Sequence, residues 1–506
     1  MKFSSTYDSE NSVEDFVQCY NNYYNEFKLE KSVKLMEDRK LFCINESKND
    51  KTNSSYLPFL ALIEQEQVTD DKVMGCSIKI YQFIFLTADG KSNLFQLSDD
   101  EIDEKLIKKA IRQHITGYGP ITDTAISIAY NSALEIAQLK TRTEYVYCDE
   151  GLSLDNTKFV YQHLTIDISS QNFNIAKEES EKLHTIITDI LSCSNDPAVM
   201  TALLEIELIS LIYEAFLKMQ QDQKIKLIPS FLVFIYGESG SGKTTVSKAV
   251  FRANDSERLV YVPNSTPASM QEAIRKVSSG VLLFDDIPHT GYDKCSPENK
   301  CKLEMLIRAA GDFGTERRTA KSELPPSPKR AILAVTSEAP FYISESSSLR
   351  CLYCNIEKGS IDFKKFSRYR ESGKDLDFLN QAFIKWAFAE LLKYDGNSFS
   401  MPSLEAFYRA AVNEADILFN NIVEPRAMDN FIHMELYWQI YSLFLSEIGF
   451  SECELSEMKS KYDIYLKKSA AIQQEIIKYR SAESALYFTI EKIISSNRTV
   501  SFKAVN

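Results

Sequence analysis

No stretch of the 506-residue sequence approaches the roughly 18 to 20 apolar residues that a membrane-spanning helix requires. The opening residues, MKFSSTYDSENSVEDF, are polar and acidic and lack the apolar core of a secretion signal, so a cytoplasmic protein is expected. Basic charge is in short supply. A net charge of −13 excludes a surface coated in lysine and arginine for nucleic acid, although a local basic patch in a pore or groove stays compatible with it. The five histidines are dispersed, and the ten cysteines are scattered, several in apolar runs (Cys76, Cys193, Cys351, Cys354) where thiols are reduced and buried. Cys351-Leu-Tyr-Cys354 has CxxC spacing, but its run is β-like and no second pair follows, so neither a zinc site nor a redox motif is expected. Internal repeats and low-complexity tracts are also lacking.

What is present reads as an ordinary globular chain, 44% hydrophobic and 25% charged, too long for a single core. Residues 1 to about 60 are polar and weakly periodic. Ser77–Leu86 and Leu94–Leu97, separated by Asp89-Gly90, predict a β-hairpin. Helical text follows over 100–114 and 123–139, then strand-like Tyr145–Cys148 and Phe159–Tyr161. Two helices come next. The second opens with Asp196-Pro197, a capping residue before proline, and its run through Leu203, Ile206, Ile209 and Ile212 is apolar nearly all round, so burial is expected.

From 227 to about 375, strands and helices alternate as a parallel α/β sheet demands. The expected strands are Phe231–Tyr236, Leu259–Val262, Val281–Phe284, Ala331–Val335 and Leu349–Ile356, with helices opening at Thr266-Pro267 and Ser296-Pro297. Beyond 376 the text is helical, with turns near Asp395-Gly396 and Pro402, and it stops at Asn506 just as strand-like text begins, which reads as a chain cut short. The expected division is an N-terminal α/β domain (1–175), a helical linker (176–226), a parallel-sheet α/β domain (227–375) and a C-terminal helical domain (376–506).

Gly237-Glu238-Ser239-Gly240-Ser241-Gly242-Lys243-Thr244 fits GxxxxGK[ST] and is followed by Thr245. Glycines in such a loop let backbone N–H groups wrap phosphates, because side chains would block the approach. Lys243 is expected to reach the β- and γ-phosphates of ATP, and the Thr244 hydroxyl to ligate magnesium. A β run precedes the motif and helical text follows it, the context the motif needs. Val281-Leu-Leu-Phe-Asp285-Asp286 is the expected partner: a buried strand delivering Asp285 to hold magnesium through water and Asp286 to orient or deprotonate the attacking water. Ala331–Val335 ends in Thr336-Ser337, with Thr336 the first candidate and Ser337 the second for contact with the γ-phosphate and the attacking water. ATP and Mg2+ are the expected cofactors; no other metal is.

From Phe231 to Asp362 the chain resembles the AAA+ branch of superfamily 3 helicases, and among these the helicase-like ATPase domains of prophage and integrative-element replication proteins. The resemblance is carried by GESGSGKTT, NSTPASMQEAIRKVSSGVLLFDD, LIRAAGDFGTERRTAK, RAILAVTSEAP and SLRCLYCNIEKGSID. It implies a homo-oligomeric ring, commonly a hexamer, with ATP between neighbouring subunits. It places Arg350, after Ser346-Ser-Ser, as an arginine finger toward the next subunit's ATP. It also places Arg317, Arg318 and Lys321 in a pore-facing hairpin that contacts a DNA or RNA backbone. Gly314 to Arg330 holds five Lys or Arg against two Glu, a local reversal of the chain's acidic balance. One departure stands out: the superfamily usually ends its third motif in asparagine, where this chain has Thr336-Ser337.

Three functions compete for these residues: a nucleic-acid motor of a mobile element, a non-translocating ATPase switch or assembly factor, and a small-molecule phosphotransferase. A transporter ATPase would need a Leu-Ser-Gly-Gly-Gln signature, which is absent from the sequence. A metabolite kinase would need a lid and a substrate pocket, and neither is legible.

Overall fold

The computed structural model describes residues 13–26, 31–36, 41–48, 51–57, 59–71, 76–87, 92–98, 127–128, 131, 143–144, 150–154, 156–161, 164–168, 175–222, 225–253, 257–288, 296–311, 314–315, 327–340, 343–396, 398–420 and 422–478. The chain divides into two compact units, Met1–Asp149 and Glu150–Asn506.

In the first unit, helix α1 (Val13–Glu26) buries Tyr20 and Tyr24, one turn apart on a single face. The Tyr20 hydroxyl donates to the Ala61 carbonyl, and the Asn21 side chain clamps Val33, donating to its carbonyl at 2.9 Å and accepting its N–H at 2.7 Å. Strands β1 (Lys31–Met36), β2 (Leu41–Lys48) and β3 (Lys51–Leu57) form an antiparallel sheet. A second sheet has the order β6-β5-β4-β7, from β4 (Phe59–Asp71), β5 (Cys76–Thr87), β6 (Ser92–Ser98) and β7 (Thr143–Glu144). The expected hairpin is there as β5 against β6, with Phe83 opposite Phe95; its Asp89-Gly90 turn lies outside the described residues. So do most of 100–114 and 123–139 and all of Tyr145–Cys148, apart from helical Ser127, Ile128 and Asn131.

The second unit opens with a small antiparallel sheet of β8 (Gly151–Leu152), β9 (Lys158–Tyr161) and β10 (Leu164–Asp167). Helices α2 (Lys177–Leu191), α3 (Pro197–Leu211) and α4 (Tyr213–Asp222) follow. Asp196 caps α3 by accepting the Ala198 N–H at 3.3 Å, and every residue of α3 from Ala198 to Leu211 is buried, as its all-round apolar pattern requires. Two of those residues are acids. Glu207 accepts from Asn380 at 2.9 Å and faces Arg258, which also pairs with Glu150 at 2.6 Å. Burial, opposed by Arg258, pushes the Glu207 carboxyl up to about 7.

Behind this layer stands a five-stranded, all-parallel sheet in the order β12-β13-β16-β11-β17. Its strands are β11 (Leu232–Tyr236), β12 (Leu259–Tyr261), β13 (Ser278–Ile287), β16 (Arg330–Ser337) and β17 (Cys351–Asn355), close to the expected spans. Between them run α5 (Lys243–Val250), α6 (Pro267–Lys276), α7 (Pro297–Gly311) and the short α8 (Glu345–Ser348). Thr266 closes a capping box with Ser269 at the start of α6. Alternation along each strand sends Val233, Ile235, Leu283 and Ala334 into the core shared with α3 and α5, and Leu232, Phe234, Phe284 and Val335 into a second core with α6 and α7. Cys351 and Cys354 fall on opposite faces for the same reason. Burial pushes both thiols up to about 12, so the CxxC pair is a pair of core residues.

A two-residue ladder of β14 (Gly314–Thr315) and β15 (Ser327–Pro328) links α7 to β16. Arg317, Arg318 and Lys321 lie in the segment between its strands, outside the described residues. After β17 come α9 (Phe363–Glu371), α10 (Lys374–Trp386), the strand pair β18 (Lys393–Tyr394) and β19 (Phe399–Ser400), and helices α11 (Leu404–Phe419), α12 (Pro425–Glu447) and α13 (Glu452–Lys478). Helix α13 covers the exposed edge at β17. Its Gln473 amide donates toward the carbonyls of Ser348 and Leu349 at 3.2 and 3.3 Å, and at 3.0 Å toward that of Cys351, which begins the edge strand.

Candidate nucleotide site

Strand β11 is the fourth strand of the sheet and is followed directly by the loop 237–242 and helix α5. The loop cannot carry a side chain at its start: a Cβ on Gly237 would lie 2.2 Å from the backbone oxygen of Ile356. Gly242 closes it with φ +93°, a left-handed conformation that glycine alone adopts without strain, and a Cβ there would strike the Phe363 ring. Gly242 is the N-cap of α5 and no side chain caps the first turn. The N–H groups of that turn, with the positive end of the helix dipole, therefore suit an anion. Glu238, Ser239 and Gly240 are exposed, whereas Ser241 is buried and its hydroxyl finds no partner among the described residues. Lys243, Thr244 and Thr245 begin α5 and are half-buried.

The neighbouring strand β13 delivers the acids. Between Phe284, opposite Val335, and Ile287, opposite Ser337, β13 carries one residue more than β16, a bulge that contains Asp285 and Asp286. Asp286 adopts φ +63°, strained for a non-glycine residue, and is exposed, while Asp285 is 2% exposed. The bulge thus turns two consecutive acids to different tasks. Asp285 Oδ1 accepts from the Thr244 hydroxyl at 2.9 Å and from the Thr336 hydroxyl at 2.7 Å. The Thr336 oxygen in turn accepts the Asp286 N–H at 2.8 Å. Thr336 is fully buried and acts on the two acids; Ser337 turns its hydroxyl to the Ile287 carbonyl at 3.4 Å.

Lys248, a residue the sequence reading passed over, pairs with Asp285 Oδ2 at 2.9 Å and donates to the Tyr261 hydroxyl at 2.7 Å. Burial works against its charge, but the Tyr261 hydroxyl and Asp285 outweigh it and hold the ammonium above its ordinary range. Its spacing was the available signal, since position i+4 from Thr244 puts both on one face of α5. Arg350 stands elsewhere. It precedes β17, its carbonyl accepts the Leu232 N–H at 2.9 Å, and its guanidinium lies against Gly311 at the end of α7. That is the opposite end of β11 from the loop, about 16 Å away at 3.3 Å per strand residue.

The donor set fits a nucleotide with a hard divalent cation. A hydroxyl and a carboxylate, 2.9 Å apart at the foot of a helix whose first turn no side chain caps, are oxygen ligands of the kind magnesium takes. Among the described residues there is no other cluster of His, Cys, Asp or Glu that could hold a metal, and no helix is long and apolar enough to cross a membrane.

No protein-family model and no curated protein matches the sequence. Among solved structures, the chain is similar to one described as SCCmec type IV Cch, an active helicase, with a TM-score of 0.53 and 13% identity over 92% of this chain and 82% of that one. Fainter likenesses reach the NrS-1 C-terminal region (TM-score 0.26, 7% identity, 76% of this chain and 90% of that one) and JCV helicase (TM-score 0.24, 12% identity, 68% and 80%). What the first likeness shows is the fold: the chain has a helicase-like, mixed α/β fold built on a parallel five-stranded sheet.

Proposed function

We propose that the chain is a Mg-ATP-dependent P-loop ATPase that works as a ring-forming, helicase-like motor on nucleic acid, in the service of a mobile genetic element. The observation that carries this reading is the 2.9 Å hydrogen bond between Thr244, at the foot of a glycine-bounded loop and helix, and the buried Asp285. Residues 237–242 and the first-turn amides of α5 cradle the phosphates, and Lys243 supplies a point charge to the β- and γ-phosphates. Thr244 and Asp285 hold magnesium, which when bound neutralises charge developing on the transferring phosphoryl group. Asp286, turned out to solvent by the bulge, takes the proton of the attacking water or orients it. Thr336 fixes both acids. Arg350 serves the ATP of a neighbouring subunit, a reading supported by its distance from its own loop. Arg317, Arg318 and Lys321 contact the nucleic-acid backbone. On the same reading, residues 227–375 are the ATPase domain and 376–506 a helical domain, with 1–175 a separate α/β domain and 176–226 between.

The net charge of −13 favours one second reading, a non-translocating ATPase switch or assembly factor that uses the same site. The two part on a single experiment: the ATPase rate with and without single-stranded DNA or RNA, beside a native mass measurement with ATP. A motor gives a stimulated rate and a defined oligomer. Hydrolysis that nucleic acid leaves unchanged favours the switch, and no hydrolysis in any state overturns both.

A further inference from the structure

A cleft open to solvent lies at the carboxyl end of edge strand β17, where helix α13 crosses it. Its walls are the buried rings of Tyr353 and Tyr465 and the side chains of Val199 and Ile472; Asn355 and Ser469 add polar groups. Ser469 is 3% exposed and its hydroxyl finds no hydrogen-bond partner among the described residues. A hydroxyl buried in that way is costly unless a ligand or water completes it. Asp196 and Glu357 bring two carboxylates to the cleft, against the single ammonium of Lys468. A phosphate is therefore a poor occupant, whereas neutral hydroxyl donors are good ones.

The cleft adjoins the phosphate loop. Asn355 lies opposite Tyr236, the residue before Gly237, and the Ile356 N–H donates to the Tyr236 carbonyl at 2.8 Å. The Tyr236 ring meets Tyr353 edge-on, 6.5 Å between centroids. Gly237 packs on the Ile356 carbonyl, so the loop begins one residue from the cleft wall. A ligand whose phosphates occupy residues 237–243 has its remaining, uncharged part within reach of this cleft.

We infer that the cleft between β17 and α13 takes the adenosine part of the nucleotide: the adenine ring between the two tyrosines and the aliphatic side chains, the ribose toward Glu357 and Asp196. The inference rests on the ATP reading of the phosphate loop and extends it to a second set of residues. Asn355 is the base-reading group, since a side-chain amide matches the donor and acceptor pair on one edge of adenine. Ser469 completes its hydrogen bonding to base or sugar. Carboxylates accept ribose hydroxyls as they do in dinucleotide sites. The consequence is that nucleotide binding engages α13 together with the sheet.

The test is calorimetric binding by the full chain to Mg-ATP, Mg-GTP and inorganic tripolyphosphate, with Ser469→Phe filling the cleft and Asn355→Ala removing the amide. Ser469→Phe is expected to bind ATP at least ten-fold more weakly and tripolyphosphate as the natural sequence does. Asn355→Ala is expected to lose about ten-fold in ATP affinity and its preference over GTP. Equal ATP affinity in all three proteins overturns the cleft assignment and leaves the phosphate loop standing; failure of the natural sequence to bind either ATP or tripolyphosphate overturns both. Should Ser469→Phe fail to fold, photolabelling of the natural sequence with 2-azido-ATP decides. Label on 353–360 or 465–472 supports the cleft, and label confined to other peptides refutes it.

Discussion

The Thr336 hydroxyl donates to Asp285 Oδ1 at 2.7 Å and accepts the Asp286 N–H at 2.8 Å, so one buried oxygen fixes the first acid by its side chain and the second by its backbone. A residue at the end of β16 thereby controls the geometry of the bulge in β13. Thr336→Val keeps the shape and removes both bonds. Groups that orient metal-holding carboxylates are worth about 10- to 100-fold. Steady-state hydrolysis by Thr336→Val is expected to fall by that factor, with Thr336→Ser close to the natural sequence. Equal rates in all three would mean that the hydroxyl only fills a core position.

On the proposed magnesium reading, Lys248 and the metal would compete for one carboxylate. The ammonium sits on Asp285 Oδ2 at 2.9 Å, so a metal held by Asp285 would have to share or displace it. Lys248→Met removes the competitor and leaves Asp285 with only its two hydroxyl donors. The variant is expected to melt lower than the natural sequence without nucleotide, by about 1 to 3 kcal/mol of stability, and to recover part of the loss in Mg-ATP. The magnesium concentration for half-maximal activity is expected to drop several-fold. A rise in that concentration would make Lys248 a support for the metal.

Arg350 stands a strand's length from the loop proposed to hold the phosphates, beyond the reach of its side chain. Mixing Arg350→Ala chains with Lys243→Ala chains is therefore expected to restore activity that neither has alone, since some interfaces then unite an intact loop with an intact finger. The readout is ATPase rate against mixing ratio, with native mass confirming mixed assemblies. A flat line in well-mixed rings would end the proposal that Arg350 acts in trans.

Much of the sheet was legible because its signals are local. Apolar runs of four to eight residues, a proline after a capping threonine at 266, and glycines around Lys243 are set within a few positions of one another. The buried face of α3 was legible for the same reason: a helix apolar all round has nowhere to go but inside. The partners of Asp285 were not legible, since Thr244, Lys248 and Thr336 come from three segments that only the folded sheet assembles. Nor was the covering of β17 by α13, which turns on Gln473 meeting carbonyls more than a hundred residues away in sequence. A bulge such as that at Asp285-Asp286 leaves no mark in the period of the strand, because its extra residue is one more acid. The motif named types of residue and could not say which oxygen each would meet in the folded sheet.

Lys329 gives the last prediction, and it concerns pH. It follows β15 at the root of the segment that carries Arg317 and Arg318, is 1% exposed, and donates to the carbonyls of Pro229 at 3.1 Å and Ala310 at 2.6 Å. The Tyr213 ring has its centroid 5.8 Å away, and His433 is close enough to feel the charge. Burial lowers the Lys329 amine from 10.5 to about 7, and a neutral amine still has two hydrogens for two carbonyls. The folded value lies below the unfolded one, so between about pH 7 and 10.5 the unfolded chain holds a proton that the folded chain lacks. Stability tied to this group therefore rises with pH across that window, and it is lost as pH falls through 7. Lys329→Met has no such proton. Its urea midpoint, measured beside that of the natural sequence at pH 7, 8 and 9, should gain relative to the natural sequence at the lower end and lose ground steadily toward the upper. Other groups titrate in the same range, but they do so in both proteins and cancel in the difference. A gap between the two midpoints that stays constant with pH would mean that Lys329 keeps its charge when buried, held by the two carbonyls and the Tyr213 ring.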